Sequence, residues 1–278
     1  MKPGIIRGNA IHVIAGSLFA SQLPLQWTTI AAVLVGTCLV IASACVANNY
    51  MDRGIDAKMK RTKSRPSVTG EVSLVSAMIF TGLLLVAGFV LLVVFTNAWV
   101  VGIGAAAYIL YVFVYGWAKR TTIHSTLVGA IPGALPVMAG HVAIVGEPTV
   151  GSWLLFLVVF TWQMPHFYAI SIFRKKEYKA AHIPVLGVVK SFSIVRAHIA
   201  VYMAAYLASI TALISLNVIG APAGTLLLIG AAAWFIVYAR TSIADEVKWA
   251  RAVFATSLIL ALLLLVASVI NVFMAPFV

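Results

Sequence analysis

Long apolar runs are the feature that most restricts how this chain can fold. Residues 27–48 contain no Asp, Glu, Lys or Arg, and runs of similar length recur almost to the end of the sequence. A helix of about 20 apolar residues spans the hydrocarbon core of a bilayer. Hydrophobic residues make up 63% of the 278 positions and charged residues only 9%, which excludes a water-soluble domain, a disordered chain and a typical nucleic-acid-binding protein. The sequence therefore predicts an all-α, polytopic membrane protein whose surroundings are membrane lipid.

The apolar runs predict about nine transmembrane helices, separated by charged or turn-forming breaks. Two of the breaks, at about 49–71 and 172–197, are long and highly charged, whereas the others are short. No repeat of fixed period divides the chain, so we interpret residues 1–278 as a single integral membrane domain. The predicted helices cover approximately residues 8–22, 27–48, 72–95, 98–117, 124–145, 151–171, 198–218, 222–240 and 252–274.

Positive charge lies on one side of the predicted topology. If the nine helices alternate in direction, all 19 Lys and Arg residues fall on the side that carries the amino terminus and both long loops. The opposite loops contain one ionised side chain, Glu147. Because Lys and Arg are concentrated in cytoplasmic loops, we expect the amino terminus and the two long loops to be cytoplasmic. The net charge of +12 fits either attraction to anionic lipid headgroups or an anionic substrate.

The predicted end of the second helix carries two of the seven acidic residues. Asp52 and Asp56 lie four residues apart, and Asn48 precedes Asp52 by the same spacing, so a helix that continues through them places all three on one face. Two carboxylates so placed repel each other unless a cation lies between them, and a hard ion such as Mg²⁺ prefers oxygen ligands. We therefore predict a metal site at Asn48, Asp52 and Asp56, with Asn49 as a further candidate catalytic residue. A solvated helix end, whose charges pair along the surface, is the alternative.

Basic residues follow the acidic pair directly. Arg61 and Arg65 are four residues apart and could together grip phosphate oxygens with their planar guanidinium groups. Carboxylates that hold a metal, followed by guanidinium groups that neutralise phosphate, are what the ionisation of a diphosphate ester requires. The other candidate diphosphate ligands are Arg53 and Lys63 in the same loop, Lys119 and Arg120 after the fourth helix, and Arg174 and Lys175 after the sixth. For the last four, anchoring at lipid headgroups is the alternative.

A histidine inside the sixth predicted helix is the third candidate feature. Pro165 removes a backbone hydrogen bond and is expected to kink the helix, an irregularity that is tolerated where a helix lines a cavity. His166 follows at once, and an ionisable side chain at membrane depth is a functional candidate because its burial is costly. The alternative is a structural histidine that is hydrogen-bonded to a neighbouring helix.

At these two regions the chain resembles the protoheme IX farnesyltransferase (heme O synthase) family of UbiA-type intramembrane prenyltransferases. The first matching stretch is Asn49–Asp56 with Arg61–Arg65, and the second is Trp162–His166 with Tyr178–Leu186. The resemblance implies nine helices ringed around a central cavity that the two long loops cap. It also implies Mg²⁺-dependent transfer of farnesyl from farnesyl diphosphate to a vinyl group of heme b, with water added to give heme O. The implied heme or prenyl contacts are Trp162, Gln163, Pro165 and Tyr178.

The resemblance carries further expectations. It implies that His166 ligates the heme iron or orients the porphyrin. Most of the superfamily has a second Asp-rich cluster after the sixth helix, whereas this chain has Glu177 as its only carboxylate there, so two complete metal sites are not expected. The implied location is the bacterial inner membrane. A heme–copper terminal oxidase and heme A synthase are the implied protein partners.

Three other functions stay open. A related prenyltransferase that acts on an aromatic quinone precursor would share the diphosphate site, but the Pro165-His166 pair argues against it. A transporter would use Pro165 and the Gly- and Pro-rich fifth helix as broken helices around a site near the membrane midplane, whereas the carboxylates here cluster at one surface. A non-catalytic assembly factor would tolerate substitution of both aspartates.

Overall fold

The computed structural model describes residues 2–274, and every regular element within them is a helix. A π-helical segment, Leu110–Tyr115, joins the sixth helix to the seventh without a break. The all-helical fold predicted from the apolar runs is confirmed. In chain order the α-helices are α1 (Pro3–Phe19), α2 (Trp27–Met51), α3 (Arg53–Asp56), α4 (Pro66–Thr69), α5 (Leu74–Phe95), α6 (Ala98–Ile109), α7 (Gly116–Thr121), α8 (Ser125–Val145), α9 (Val150–Phe173), α10 (Lys175–Ala180), α11 (Leu186–Val189), α12 (Phe192–Ser215), α13 (Ala221–Arg240) and α14 (Glu246–Met274).

Eight helical segments of residues 2–274 are long and apolar enough to cross a membrane. The π-helical segment makes α6 and α7 parts of one of them, Ala98–Thr121, which has 24 residues. The remaining long helix, α1, has 17 residues and corresponds to the first of the nine predicted spans. The chain is therefore a multi-pass membrane protein. The count of nine spans is not confirmed, and the cytoplasmic location of the amino terminus stays a prediction.

Several helices extend further into the polar regions than the apolar runs predict. α12 begins at Phe192 rather than near residue 198, and α14 begins at Glu246 rather than near residue 252. The Asp245 side chain accepts a hydrogen bond from the Lys248 backbone N–H at 2.9 Å and so satisfies the first turn of α14. Hydropathy locates the part of a helix that lies in lipid, whereas capping determines where the helix begins.

Contacts between the long helices form a closed arrangement. α2 packs on α5, α8 on α9, α9 on α12 and α13 on α14, while α1 packs on both α8 and α14. Small residues permit the closest approach: a Cβ atom on Gly16 would overlap the Val137 carbonyl, and one on Gly140 would overlap the Val13 carbonyl. These two glycines therefore let the backbones of α1 and α8 touch.

The two long loops pack against each other. They contain the short helices α3, α4, α10 and α11. Met59 of the first loop forms a buried apolar cluster with Ala181, Ile183 and Val185 of the second. This contact fixes one loop against the other and so brings polar residues of both to the same cavity.

Candidate active site

A cavity of about 960 Å³ lies among the helices and next to the two loops. Its wall is formed by α1, α2, α6, the π-helical segment, α7, α8, α9, α14 and both loops. Charged side chains surround Asp52 and Asp56 in one part of the wall, and aromatic side chains surround Trp162 in another. Ligand pockets usually occupy about 300–1,000 Å³, so this cavity has room for a large organic ligand.

The acidic part is built by helical geometry that continues past the end of α2. α2 ends at Met51, but the Asp52 N–H donates to the Asn48 carbonyl at 2.9 Å, and the Asp56 N–H donates to the Asp52 carbonyl at 2.8 Å. The four-residue spacing is thereby kept through Asp52 into α3. Asn48, Asp52 and Asp56 all line the cavity, and only 1%, 6% and 5% of their respective surfaces are exposed. The structure thus brings the three candidate metal ligands together.

Basic side chains pair with both carboxylates. The Lys119 ammonium donates to Asp52 Oδ2, and the Arg120 guanidinium donates to Asp52 Oδ1 at 3.2 Å. Arg65 Nη1 lies 2.5 Å from Asp56 Oδ2. Only 7% of the Lys119 surface is exposed, so Lys119 and Asp52 form a buried ion pair in which each charge is stabilised by the other. These pairs offset the repulsion between the two carboxylates.

Lys2 is a cavity residue that sequence reasoning missed. Its ammonium donates to Asn48 Oδ1 and, at 3.3 Å, to the Tyr111 hydroxyl, and burial lowers the pKa of Lys2 to about 8. No carboxylate of residues 2–274 is within salt-bridge distance of this ammonium. A half-buried charge without a counter-ion favours an anionic ligand. A lysine ahead of an apolar helix is common at a membrane surface, which is why the sequence contained no distinctive signal.

The π-helical segment explains why the fourth predicted span supplies several polar groups to one cavity. Tyr111, Tyr115 and Lys119 follow one another at four-residue spacing, and all three line the cavity. The two tyrosine rings stack with their centroids 5.6 Å apart, and the Lys119 ammonium lies 5.6 Å from the Tyr115 centroid. Four residues of an α-helix overshoot a full turn by about 40°. The wider π turn counteracts this drift, and such turns are frequent at functional sites.

Three further candidates lie at the loop side of the cavity. Arg61, Arg174 and Tyr178 line it, and burial raises the pKa of the Tyr178 hydroxyl. Arg174 Nη1 donates to Glu177 Oε1 at 2.9 Å. The carboxylate of the second loop is therefore paired with an arginine of the same loop.

Several predicted residues do not line the cavity. Asn49 is buried, and its Oδ1 accepts a hydrogen bond from Arg65 at 3.2 Å, so it contacts a cavity residue rather than the cavity. Arg53, Lys63 and Lys175 are exposed. The Arg53 guanidinium lies over a neighbouring tyrosine ring, 4.9 Å from its centroid. A run of like charges in a loop does not reveal which side chains face inward.

The aromatic part of the cavity is centred on Trp162. His12 of α1 meets this indole edge-on with ring centroids 5.4 Å apart, and His166 stacks on it at 5.1 Å. Trp162 Nε1 donates to the Ser257 carbonyl at 2.8 Å, and His166 Nδ1 lies 2.8 Å from Ser257 Oγ. α14 therefore holds both side chains of α9 in place. The hydrogen bond to a neighbouring helix, considered as the alternative for His166, is present, yet the residue also lines the cavity.

Gln163 lines the cavity and also contacts α8. Its Nε2 donates to the Ala130 carbonyl at 3.2 Å, and a Cβ atom on Gly133 would overlap its side-chain amide. Pro165 is buried and does not line the cavity. The fifth and sixth predicted helices are not broken as a transporter would require: α8 runs without interruption across its two prolines, and α9 is continuous through Pro165. Neighbouring helices pack around these prolines and preserve both helices.

The residues at the acidic end fit a hard divalent ion. Asn48, Asp52 and Asp56 line the same cavity and carry the amide and carboxylate oxygens that such an ion prefers. No group of three or more His, Cys, Asp or Glu side chains suited to a metal occurs between residues 2 and 274. An ion held by two carboxylates and an amide therefore needs ligand or water oxygens to complete its coordination, as Mg²⁺ usually does.

The chain belongs to the UbiA prenyltransferase family, whose profile matches residues 9–263. Solved structures share its fold. A UbiA homolog from Aeropyrum pernix K1 superposes with a TM-score of 0.75 at 19% identity, over 96% of this chain and 98% of that one. A digeranylgeranylglyceryl phosphate synthase superposes with a TM-score of 0.79 at 18% identity, over 96% of both chains.

Within that class, the chain is similar to protoheme IX farnesyltransferase of Escherichia coli (strain K12). The two are 43% identical over 264 residues, which cover 93% of this chain and 88% of the relative. The resemblance drawn from the two sequence regions is thereby confirmed. A UbiA homolog from Archaeoglobus fulgidus, solved with GPP and Mg²⁺, shares the fold with a TM-score of 0.72 at 14% identity, over 96% of both chains.

Proposed function

We propose that this prenyltransferase transfers a farnesyl group from farnesyl diphosphate to a vinyl group of heme b, with addition of water, and releases heme O and diphosphate. The observation that carries the proposal is one cavity that contains both a buried acidic and basic cluster and a histidine–tryptophan cluster. The similarity to a protein named protoheme IX farnesyltransferase supports this choice of substrates.

The basic residues of the cavity suit a diphosphate. Among the residues that the structure describes, five Lys and Arg side chains line the cavity against two carboxylates, which leaves a surplus of positive charge. Fixed cations in a poorly hydrated site stabilise the negative charge that develops on a leaving diphosphate. Arg65 offers a planar fork for two phosphate oxygens, whereas Lys2 and Lys119 act as point charges. Arg61 and Arg174 reach the same cavity from the two loops.

Asn48, Asp52 and Asp56 would hold Mg²⁺ beside these cations. When bound, the ion withdraws charge from the diphosphate oxygens and makes the diphosphate a better leaving group. Arg65 and Lys119, which pair with the carboxylates, lie where they also contact an anion bound next to Asp52 and Asp56. The protein thus supplies oxygen donors and positive charge at one place.

The apolar part of the wall would keep water away from the allylic cation. An allylic cation is captured by water unless its surroundings are dry. Val40, Ile41, Leu258 and Leu262 line the cavity away from the charged loops, and the farnesyl chain would lie along such surfaces. The flat aromatic group at Trp162 would contact the heme. After the new carbon–carbon bond forms, one water molecule adds to the former vinyl group and its proton is released.

Membranes that contain overproduced protein test this function. We expect labelled farnesyl diphosphate and heme b to yield a labelled heme that elutes later than heme b from a reversed-phase column. Asp52→Ala should make none of it while still eluting as a folded protein in detergent. Label on an added aromatic acid instead would favour the quinone-precursor reaction. Uptake into vesicles without any labelled product would favour a transporter.

The same proposal concerns location and partners. We regard residues 1–278 as one catalytic domain of the bacterial inner membrane, with both long loops on the cytoplasmic side. Heme O would pass to a heme–copper terminal oxidase or to heme A synthase. Cross-linking in membranes that contain these enzymes checks for such a transfer complex.

A further inference from the structure

A small void lies directly behind the aromatic part of the cavity, between α1, α9, α12 and α14. Its volume is about 10 Å³, which is room for one water molecule. His12, Trp162 and Ala261 line both the void and the cavity, so these side chains form the partition between the two. The other residues that line the void are buried in the protein core: Val158, Val159, Tyr206, Leu260 and Leu264.

Two polar side chains of this lining have atoms without a hydrogen-bond partner. His12 is 5% exposed, and its Nδ1 is buried without a partner. Tyr206 is 2% exposed, and the tyrosine hydroxyls that form hydrogen bonds between residues 2 and 274 are those of Tyr111 and Tyr238, so that of Tyr206 forms none there. An unpaired polar atom inside a protein is unfavourable, and a buried water commonly supplies the missing partner.

We propose that the void binds one water molecule, hydrogen-bonded to His12 and Tyr206, and that this is the water that adds to the heme. The inference rests on the proposed function, for which it assigns the source of the water. A purely apolar void of this size stays dry, whereas polar groups on its wall retain a water molecule. A phenolic hydroxyl and a neutral imidazole can each donate to water or accept from it.

The reaction makes two opposite demands on water, and a separate water site satisfies both. The allylic cation that forms at the diphosphate must stay dry. Once it has bonded to the vinyl group, the positive charge lies on the vinyl carbon next to the porphyrin ring, and one water molecule is then needed. A water held behind Trp162 lies on the aromatic side of the cavity, away from the part that contains Asp52 and Asp56.

The chemistry of this step provides a direct readout. The water oxygen forms a bond to the cationic carbon, and one water proton passes to the His12 imidazole, which is a base when neutral. If no water is within reach, the same cation loses a proton from the neighbouring carbon and forms a double bond. The product is then a farnesylated heme that is lighter than heme O by one water molecule. The ratio of the two products therefore reports whether water occupies its site.

Mass spectrometry of the hemes made by the purified full-length protein tests the proposal. Tyr206→Phe removes the hydroxyl and keeps the ring, and Val159→Ile adds a methyl group beside the void at a residue that does not line the cavity. Each should raise the ratio of dehydrated to hydrated product about 10-fold or more, because the water loses a hydrogen bond or its space. Tyr168→Phe is the matched control: Tyr168 belongs to the same buried cluster as Tyr206 but lines neither the void nor the cavity, so the ratio should not change.

The results separate this inference from the proposed function. Wild-type ratios in both Tyr206→Phe and Val159→Ile would overturn the water site, and so would an equal shift in Tyr168→Phe. Farnesylated heme that stays fully hydrated in these variants would leave the function intact, whereas a wild-type protein that makes neither product would refute the function.

A high-resolution structure provides a readout that does not depend on activity. We expect density for a water molecule between His12 and Tyr206 in the wild type and none there in Val159→Ile. A void without density in the wild type would refute the inference. Should Val159→Ile fail to fold, the comparison of Tyr206→Phe with Tyr168→Phe still decides the matter.

Discussion

Replacing Asp52 by Asn separates the structural role of the acidic cluster from its catalytic role. Asp52 accepts hydrogen bonds from Lys119, which is 7% exposed, and from Arg120. Asn keeps the shape of the side chain but removes its charge, so the Lys119 ammonium stays buried without a carboxylate partner. Removing one partner of a buried ion pair lowers the free energy of unfolding by about 3–5 kcal/mol. The Arg120 contact adds little to this loss, because its side chain is 46% exposed and water replaces the bond.

A double variant checks that magnitude. Lys119→Met removes the stranded charge and keeps most of the side-chain volume, so Asp52→Asn with Lys119→Met should recover most of the lost stability. The double variant should stay inactive, because the carboxylate that would hold Mg²⁺ is still missing. Thermal unfolding in detergent measures stability, and heme O formation measures activity. Glu177→Gln is the control: its pair with Arg174 is partly exposed, and its loss should cost about 0–1 kcal/mol.

Two results would refute this reasoning. If Asp52→Asn unfolds at the wild-type temperature, Asp52 and Lys119 do not form a coupled buried pair. If Asp52→Asn retains the wild-type rate of heme O formation, the assignment of the metal site is wrong. A double variant that is less stable than Asp52→Asn would show that Lys119 is held by groups other than Asp52.

Three further outcomes are expected. Lys2→Met should raise the KM for farnesyl diphosphate about 10-fold or more, because a hydrogen bond from a charged donor is lost; initial rates measure this, and an unchanged KM would remove Lys2 from the diphosphate site. Gly16→Ala should lower the free energy of unfolding by about 1–3 kcal/mol, because its methyl group meets the Val137 carbonyl. In Gly102→Ala the new methyl group has nothing within 4 Å, so this control should raise the free energy of unfolding slightly. Equal thermal unfolding of the two variants would contradict the close α1–α8 contact. Chelation of divalent ions should abolish prenyl transfer while heme still binds, and Mg²⁺ should restore transfer; loss of heme binding on chelation would argue against separate sites.

The membrane architecture could be predicted because every transmembrane helix must be apolar along the length that lies in lipid. Each helix needs about 20 apolar residues, and breaks between them show as charge or turn residues. The same rule explains the uncertain first span: α1 has 17 residues, and its first residues lie beside polar groups of the cavity. Helix ends were less predictable, because a cap such as Asp245 extends α14 beyond its apolar part.

The candidate site could be predicted in part. Asp52 and Asp56 stood out because acidic residues are rare in this chain and their spacing is helical. Lys2 could not be found, because its partner, Asn48, lies on another helix and no local spacing links the two residues. Such a contact arises when separate helices pack together, so it can be seen only in the folded structure.

The span that contains the π-helical segment is sensitive to chain length. Loss of one residue from the α-helical turns beside that segment would rotate all that follows by about 100° and carry the Lys119 ammonium away from Asp52. Substitutions leave that rotation unchanged. Insertions and deletions in these turns should therefore be far more damaging than changes of residue type.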